Sequence, residues 1–160
     1  MTQTDATMAA ITEAITLGRQ GDSAVARERL VALWEEIGAG GDPLHRCTLA
    51  HYAADLFDHA AESLVWDVRA LDAADSLTDE RAQQHHSSLS VQGFYPSLHL
   101  NLADNYRRLG AFEAARRHLD AAEARTGVLE DNGYGSVVRA GIENVRRALA
   151  EGSTERLPTH

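Results

Sequence analysis

The sequence predicts an all-α fold built from repeated helical hairpins, and three observations carry that prediction. Apolar residues recur three or four positions apart along most of the 160-residue chain, the spacing that lays a stripe along one face of a helix. Only 3 prolines interrupt a composition rich in Ala, Leu, Arg and Glu, which favour helix. Residues 97–123 read as two amphipathic helices folded back on each other, and earlier segments repeat their pattern.

In the first half of that stretch, His99, Leu102, Ala103, Tyr106 and Leu109 form the apolar stripe, with Asn101, Asp104, Arg107 and Arg108 outside it. Gly110 stops the helix, because glycine adopts positive φ without a Cβ clash. Phe112, Ala115, Leu119 and Ala122 then resume the stripe, with small residues where two tightly joined helices must approach closely. The set Leu102-Ala103, Tyr106, Gly110, Ala115, Leu119 and Ala122 resembles, in order and spacing, the tetratricopeptide repeat (TPR), a helix–turn–helix of about 34 residues. The resemblance is to a small bacterial-type protein of that family. It implies a TPR-like helical solenoid of about three helix–turn–helix repeats plus a C-terminal capping helix.

The expected layout is one domain over residues 1–152, with repeats at 7–40, 43–76 and 96–129, an insert at 77–95 and a capping helix at 136–150. In the first repeat, Ala14, Leu17, Gly21, Ala26, Leu30 and Leu33 stand at the offsets of the central stretch. Asp22 is placed to cap the second helix, Trp34 to finish it against the next, and Pro43 to open the helix that follows. The second repeat is looser: Leu49, Ala50 and Ala53 match its first helix, and Leu64, Val68 and Leu71 its second. Its turn is longer and lacks the glycine. The insert between Leu77 and Pro96 is the least repeat-like part; residues 78–90 could prolong a helix until Gly93 and Pro96 break it. Val138, Gly141, Ile142, Val145 and Leu149 give the last helix its apolar side, and residues 153–160 have little to bury and are expected to be flexible.

Composition narrows the function. A formal net charge of −9 argues against wrapping nucleic acid. None of the 15 cationic side chains is lysine, which removes Schiff-base chemistry and the phosphate-loop lysine. No apolar run approaches the roughly 18 residues that span a bilayer, and the start MTQTDATMAA lacks a secretory pattern, so the expected setting is cytoplasmic. The single Cys47 can form no internal disulfide and no thiolate metal site alone; a buried free thiol is expected.

The TPR resemblance implies that the first helix of each repeat lines a concave groove. The inward positions it gives are Ile11, Ile15 and Arg19; Cys47, His51 and Asp55; Leu100, Asp104, Arg107 and Arg108; and Arg139, Glu143 and Arg146. Guanidinium forks suit carboxylates or phosphates, so one reading is a groove for a protein or peptide partner bearing acidic groups; the plainer one is a solvated charged face. His51, Asp55 and His59 are four apart and resemble half a metal site, if the helix continues that far. His85, His86, Tyr95 and His99 border the insert and could line an acid–base pocket, or the insert could simply pack Phe94 and Tyr95 with its histidines exposed. Ser87 and Ser88 sit in a plain polar run without a nucleophile motif. Tyr52, Trp66 and Phe112 read as core. The expectation is a non-catalytic interaction module, without cofactor or metal, whose groove uses His51, Asp55, Tyr95, His99, Asp104, Arg107, Arg108, Arg139 and Arg146. A small enzyme or metabolite-binding protein with the insert as lid is the alternative, and solenoid end faces could pair two copies.

Overall fold

Among the residues that the computed structural model describes, 5–86 and 89–158, the chain is all-α and contains no strand. The helices are α1 (Ala6–Arg19), α2 (Ser23–Ile37), α3 (Pro43–Ala54), α4 (Ala60–Ser76), α5 (Asp79–His85), α6 (Tyr95–Arg108), α7 (Phe112–Ala124) and α8 (Gly133–Ala150). Short 3-10 turns occupy Val91–Gly93 and Thr126–Val128. The helices form two compact units, the first running to Leu77 and the second starting at Thr78.

Within these units the helices pack as sequential pairs: α1 on α2, α3 on α4, and α6 on α7. The first and last pairs turn in the same way. Gly21 has φ +102° and Gly110 φ +78°, a region that favours glycine. The amide of Asp22 donates to the carbonyl of Leu17 (3.0 Å), and that of Ala111 to Tyr106 (2.8 Å). The amides of Gly21 and Gly110 donate likewise to Gly18 and Arg107. Such paired bonds satisfy carbonyls that a helix end otherwise leaves bare. On either side of these turns Ala14, Ala26 and Leu30, and Ala103, Ala115 and Leu119, are completely buried. Asp22 stands at the N-cap of α2, but its carboxylate makes no capping bond there.

The α3–α4 pair closes without glycine. Ser63 Oγ donates to the carbonyls of Ala54 (2.9 Å) and Phe57 (3.1 Å), lashing the start of α4 to the end of α3. Arg27 of α2 donates to the carbonyl of Leu56 (2.8 Å). Asp42 caps α3 by accepting from the Leu44 amide, with Pro43 in its first turn. Trp34 meets Trp66 edge to face at 5.5 Å, and the Arg69 guanidinium lies over both rings. The buried face of α4 is not the expected one: Trp66, Ala70, Ala73 and Ala74 are buried, while Val68 is 48% exposed. Alanine fits the closest approach to α3, and the bulkier valine is turned out.

The insert does not prolong α4. Leu77 and Thr78 are extended, and Thr78 starts α5 afresh by accepting from the Arg81 amide (3.1 Å). Asp79 accepts from the Val91 amide (2.9 Å); Ser87 and Ser88 lie outside the described residues. Pro96 sits in the first turn of α6 and opens that helix, where its missing N–H costs nothing. In the second unit Leu100, Ala103, Ala115, Leu119, Ala122, Leu129, Val138, Ile142, Val145 and Leu149 form one core, with Tyr106, Phe112 and Leu157 packed against it. Leu109, expected in the stripe, is 46% exposed beside the turn. Helix α8 starts at Gly133, before the expected residue 136, because Asn132 caps it by accepting from the Gly135 amide (2.9 Å).

The turn glycines offer a direct test. Replacing Gly110 with Ala should cost about 1 kcal/mol, the penalty of left-handed backbone for a residue with Cβ, although no other atom lies within 4 Å of the added carbon. Gly93→Ala, equally open but without positive φ, should change stability by less than about 0.5 kcal/mol. Urea unfolding midpoints of the two variants measure the difference.

Candidate functional site

The richest constellation lies on the α6–α7 hairpin. Tyr95 and His99 are one turn apart on α6, and their rings stack at 6.2 Å. His118 of α7 enters between α6 side chains, 5.4 Å from the His99 ring and 5.4 Å from the nearly parallel Tyr106 ring. These are offset-stacking distances. Arg125 extends the ladder with its guanidinium 5.9 Å above Tyr95. His99 Nδ1 and His118 Nδ1 approach to 3.1 Å. Two ring nitrogens this close hold one proton between them, one ring donating and the other accepting. Burial, and secondly the charge of Arg117, hold His118 below the ordinary histidine pKa. His118 therefore favours the neutral form.

His118 and Arg125 were not among the residues singled out from sequence. The signal was available: antiparallel helices set residues at similar distances from their turn side by side, and His99 and His118 flank Gly110 in this way.

The arginines expected to line the groove are engaged within the protein. Arg107 is completely buried. Its Nε and one terminal nitrogen donate to Asp104 Oδ1 (3.0 and 2.9 Å), and its terminal nitrogens also donate to the carbonyls of Ser153 (2.8 Å) and Glu155 (2.7 Å). Arg107 is thus a clamp on the chain itself. The segment after Gly152, expected to be flexible, is held because Arg107 donates to its carbonyls and Leu157 packs on the core. Arg139 donates to the Leu129 carbonyl (3.2 Å), and Arg146 to Asp120 (3.3 Å) and Glu123 (2.5 Å). Arg108 is half-buried at the end of α6.

His51 and Asp55 belong to the first unit, and the other candidate residues to the second. The His51 ring packs edge to face on Tyr52 at 5.3 Å. Burial lowers its pKa, with the Asp55 carboxylate pulling the other way. Asp55 ends α3 and is exposed, while His59 stands outside that helix at the N-cap of α4. The ladder of three thus breaks at the turn, and among the described residues no three His, Cys, Asp or Glu side chains converge as a metal site. Cys47 is buried, and desolvation, opposed by Arg46, pushes its thiol up to about 12. It is a protonated packing group and not a nucleophile. His85 and His86 are exposed, whereas His99 is paired with His118 and Asp104 with Arg107.

Comparison with protein-family models, curated proteins and solved structures finds no match. No helix among the described residues is long and apolar enough to cross a membrane.

The two shifted histidines set a pH dependence. Both have folded pKa values below the ordinary 6.5, so the unfolded chain takes up protons first as the pH falls. Their contribution is complete above 6.5 and is lost as the pH drops below it. The urea midpoint should be lower at pH 5.5 than at pH 7.5, and His118→Phe, which keeps a ring in the stack, should shrink the difference. Equal midpoints for the parent at the two pH values would refute the assignment.

Proposed function

We propose that this chain is a non-catalytic interaction module of the tetratricopeptide-repeat type, and that its second unit receives a peptide segment along α6. The observation that carries the reading is the recurrence of one hairpin. Ala14, Gly21, Ala26 and Leu30 are matched by Ala103, Gly110, Ala115 and Leu119 in burial, in turn conformation and in the hydrogen bonds that close the turn. A scaffold that repeats a packing unit presents helix faces, and interaction is what such faces serve. The ionisable groups of the second unit support the same reading. Among the described residues, His99 pairs with His118, and Arg107, Arg139 and Arg146 donate to acceptors within the unit.

In this reading the partner is a protein or peptide, selected by shape and main-chain hydrogen bonding more than by acidic side chains, since Arg107, Arg139 and Arg146 already have acceptors. The module works in the cytoplasm, where a lone thiol such as Cys47 stays reduced.

A photoreactive phenylalanine analogue placed at Arg108 of α6 and, separately, at Arg116 on the exposed side of α7 tests this in cells of the native host. The expected result is one cross-linked protein of defined mass from position 108 and none from position 116. Equal labelling from both positions, or none from either, would count against the module.

A further inference from the structure

Among the described residues Arg107 is the largest completely buried side chain, and a segment of the chain's own peptide takes two of its hydrogen bonds. After α8, the amides of Gly152 and Ser153 donate back to Leu149 and Ala148, and Gly152 takes φ +64°. Residues 153–157 then meet α6 at Arg107, one of the positions that the repeat resemblance assigns to the groove. Ser153 and Glu155 give their carbonyls to Arg107, and Leu157 joins the core that includes Leu100. Thr154, Glu155, Arg156 and Pro158 are exposed.

We propose that residues 153–157 are a built-in ligand of α6, and that a partner peptide binds this unit by replacing them. The proposal rests on the module reading above and names the chemistry of its partner. The partner offers two main-chain carbonyls, two residues apart, to Arg107, and a leucine-sized side chain two residues beyond the second.

Three features favour replacement over a permanent seal. The Arg107 bonds to the strap go to its main-chain carbonyls, so they do not require the Ser153 or Glu155 side chain. Its apolar anchorage among the exposed residues is the one half-buried Leu157. Once uncovered, the guanidinium meets water and keeps Asp104, so opening strands no charge in an apolar interior. Asp104 also disfavours a phosphate or nucleic acid at this site, because its carboxylate shares the guanidinium and repels a second anion.

A tethered segment competes at an effective concentration near the millimolar range, which lowers the apparent affinity of the closed chain for any rival. A fluorescent peptide with the sequence of residues 153–158 should therefore bind the intact chain weakly and the full-length Leu157→Asp chain at least about tenfold more tightly, read by anisotropy. Equal affinities, or no binding to a Leu157→Asp chain that keeps its native circular dichroism, overturn the proposal. Light scattering that shows Leu157→Asp exchanging straps between two copies overturns it in favour of self-association. Hydrogen exchange on the unmodified chain decides independently of any variant. Amides 154–157 should exchange at least about a hundredfold faster than those in the middle of α6 and α8, and equal protection would make the strap part of the core. The module and the strap fail separately, since the cross-link from position 108 reports a partner and the labelled peptide reports the strap.

Discussion

How closely two helices can approach is the constraint on which the rest of this chain depends. Ala14, Ala26, Ala103, Ala115 and Ala122 are completely buried in their hairpins, and a methyl group lets two backbones come nearer than any longer side chain. Alanine burial contributes little transfer free energy by itself, since the gain scales with apolar area. The stabilisation comes from the larger side chains that close contact allows to interlock: Ile11 and Leu30 in the first unit, Leu98, Leu100, Leu102 and Leu119 in the second. The glycine turns belong to the same constraint, because helices this close need a connection of only two or three residues. Where glycine is missing, between α3 and α4, the longer turn is pulled in by the Ser63 hydroxyl, which takes two main-chain carbonyls.

This is why the hairpins α1–α2 and α6–α7 were legible in the sequence. Their small residues, their glycine and their apolar spacing all point to one arrangement, and such agreement between local and global preferences marks a well-specified segment. In α4 the signals conflict. Leu64, Val68 and Leu71 form a plausible apolar stripe, but Ala70, Ala73 and Ala74 give a second stripe of smaller residues, and that one faces the core. Ranking by hydrophobicity chooses the valine, whereas the space between helices chooses the alanine. The candidate site was legible to a lesser degree. Tyr95 and His99 were identified, but their partner His118 lies across the turn, and a list of positions along one helix does not contain it.

The arginines show the same limit in electrostatic form. A guanidinium among acidic and apolar neighbours reads as a ligand-binding charge, yet sequence does not reveal which acceptor it finds. Here arginine repeatedly takes main-chain carbonyls: Arg27 that of Leu56, Arg46 that of Gly41, Arg139 that of Leu129, and Arg107 those of Ser153 and Glu155. These carbonyls lie in joins or after helices, where the helical ladder supplies no donor and a buried acceptor left bare is costly. The planar fork reaches two acceptors at once, which the point charge of lysine does less well. In a chain without lysine, arginine has become the means of closing loops.

The strap over α6 uses that same bond in a different mechanical setting. Gly41, Leu56 and Leu129 are fixed on both sides by helices that pack into their units, so an arginine bonded to them has no alternative arrangement to adopt. Ser153 and Glu155 lie just after α8, and Leu157 packs on the core beyond them. Losing the contact at Leu56 would mean opening a hairpin, whereas losing the contact at Ser153 means rotating a few residues about Gly152. Stability differs between the two through the chain that carries the acceptor, not through the hydrogen bond itself. A recognition surface can arise in this fold for that reason: the clamp exists to satisfy stray carbonyls, and at Arg107 the carbonyls it satisfies are the ones most easily exchanged for another chain's.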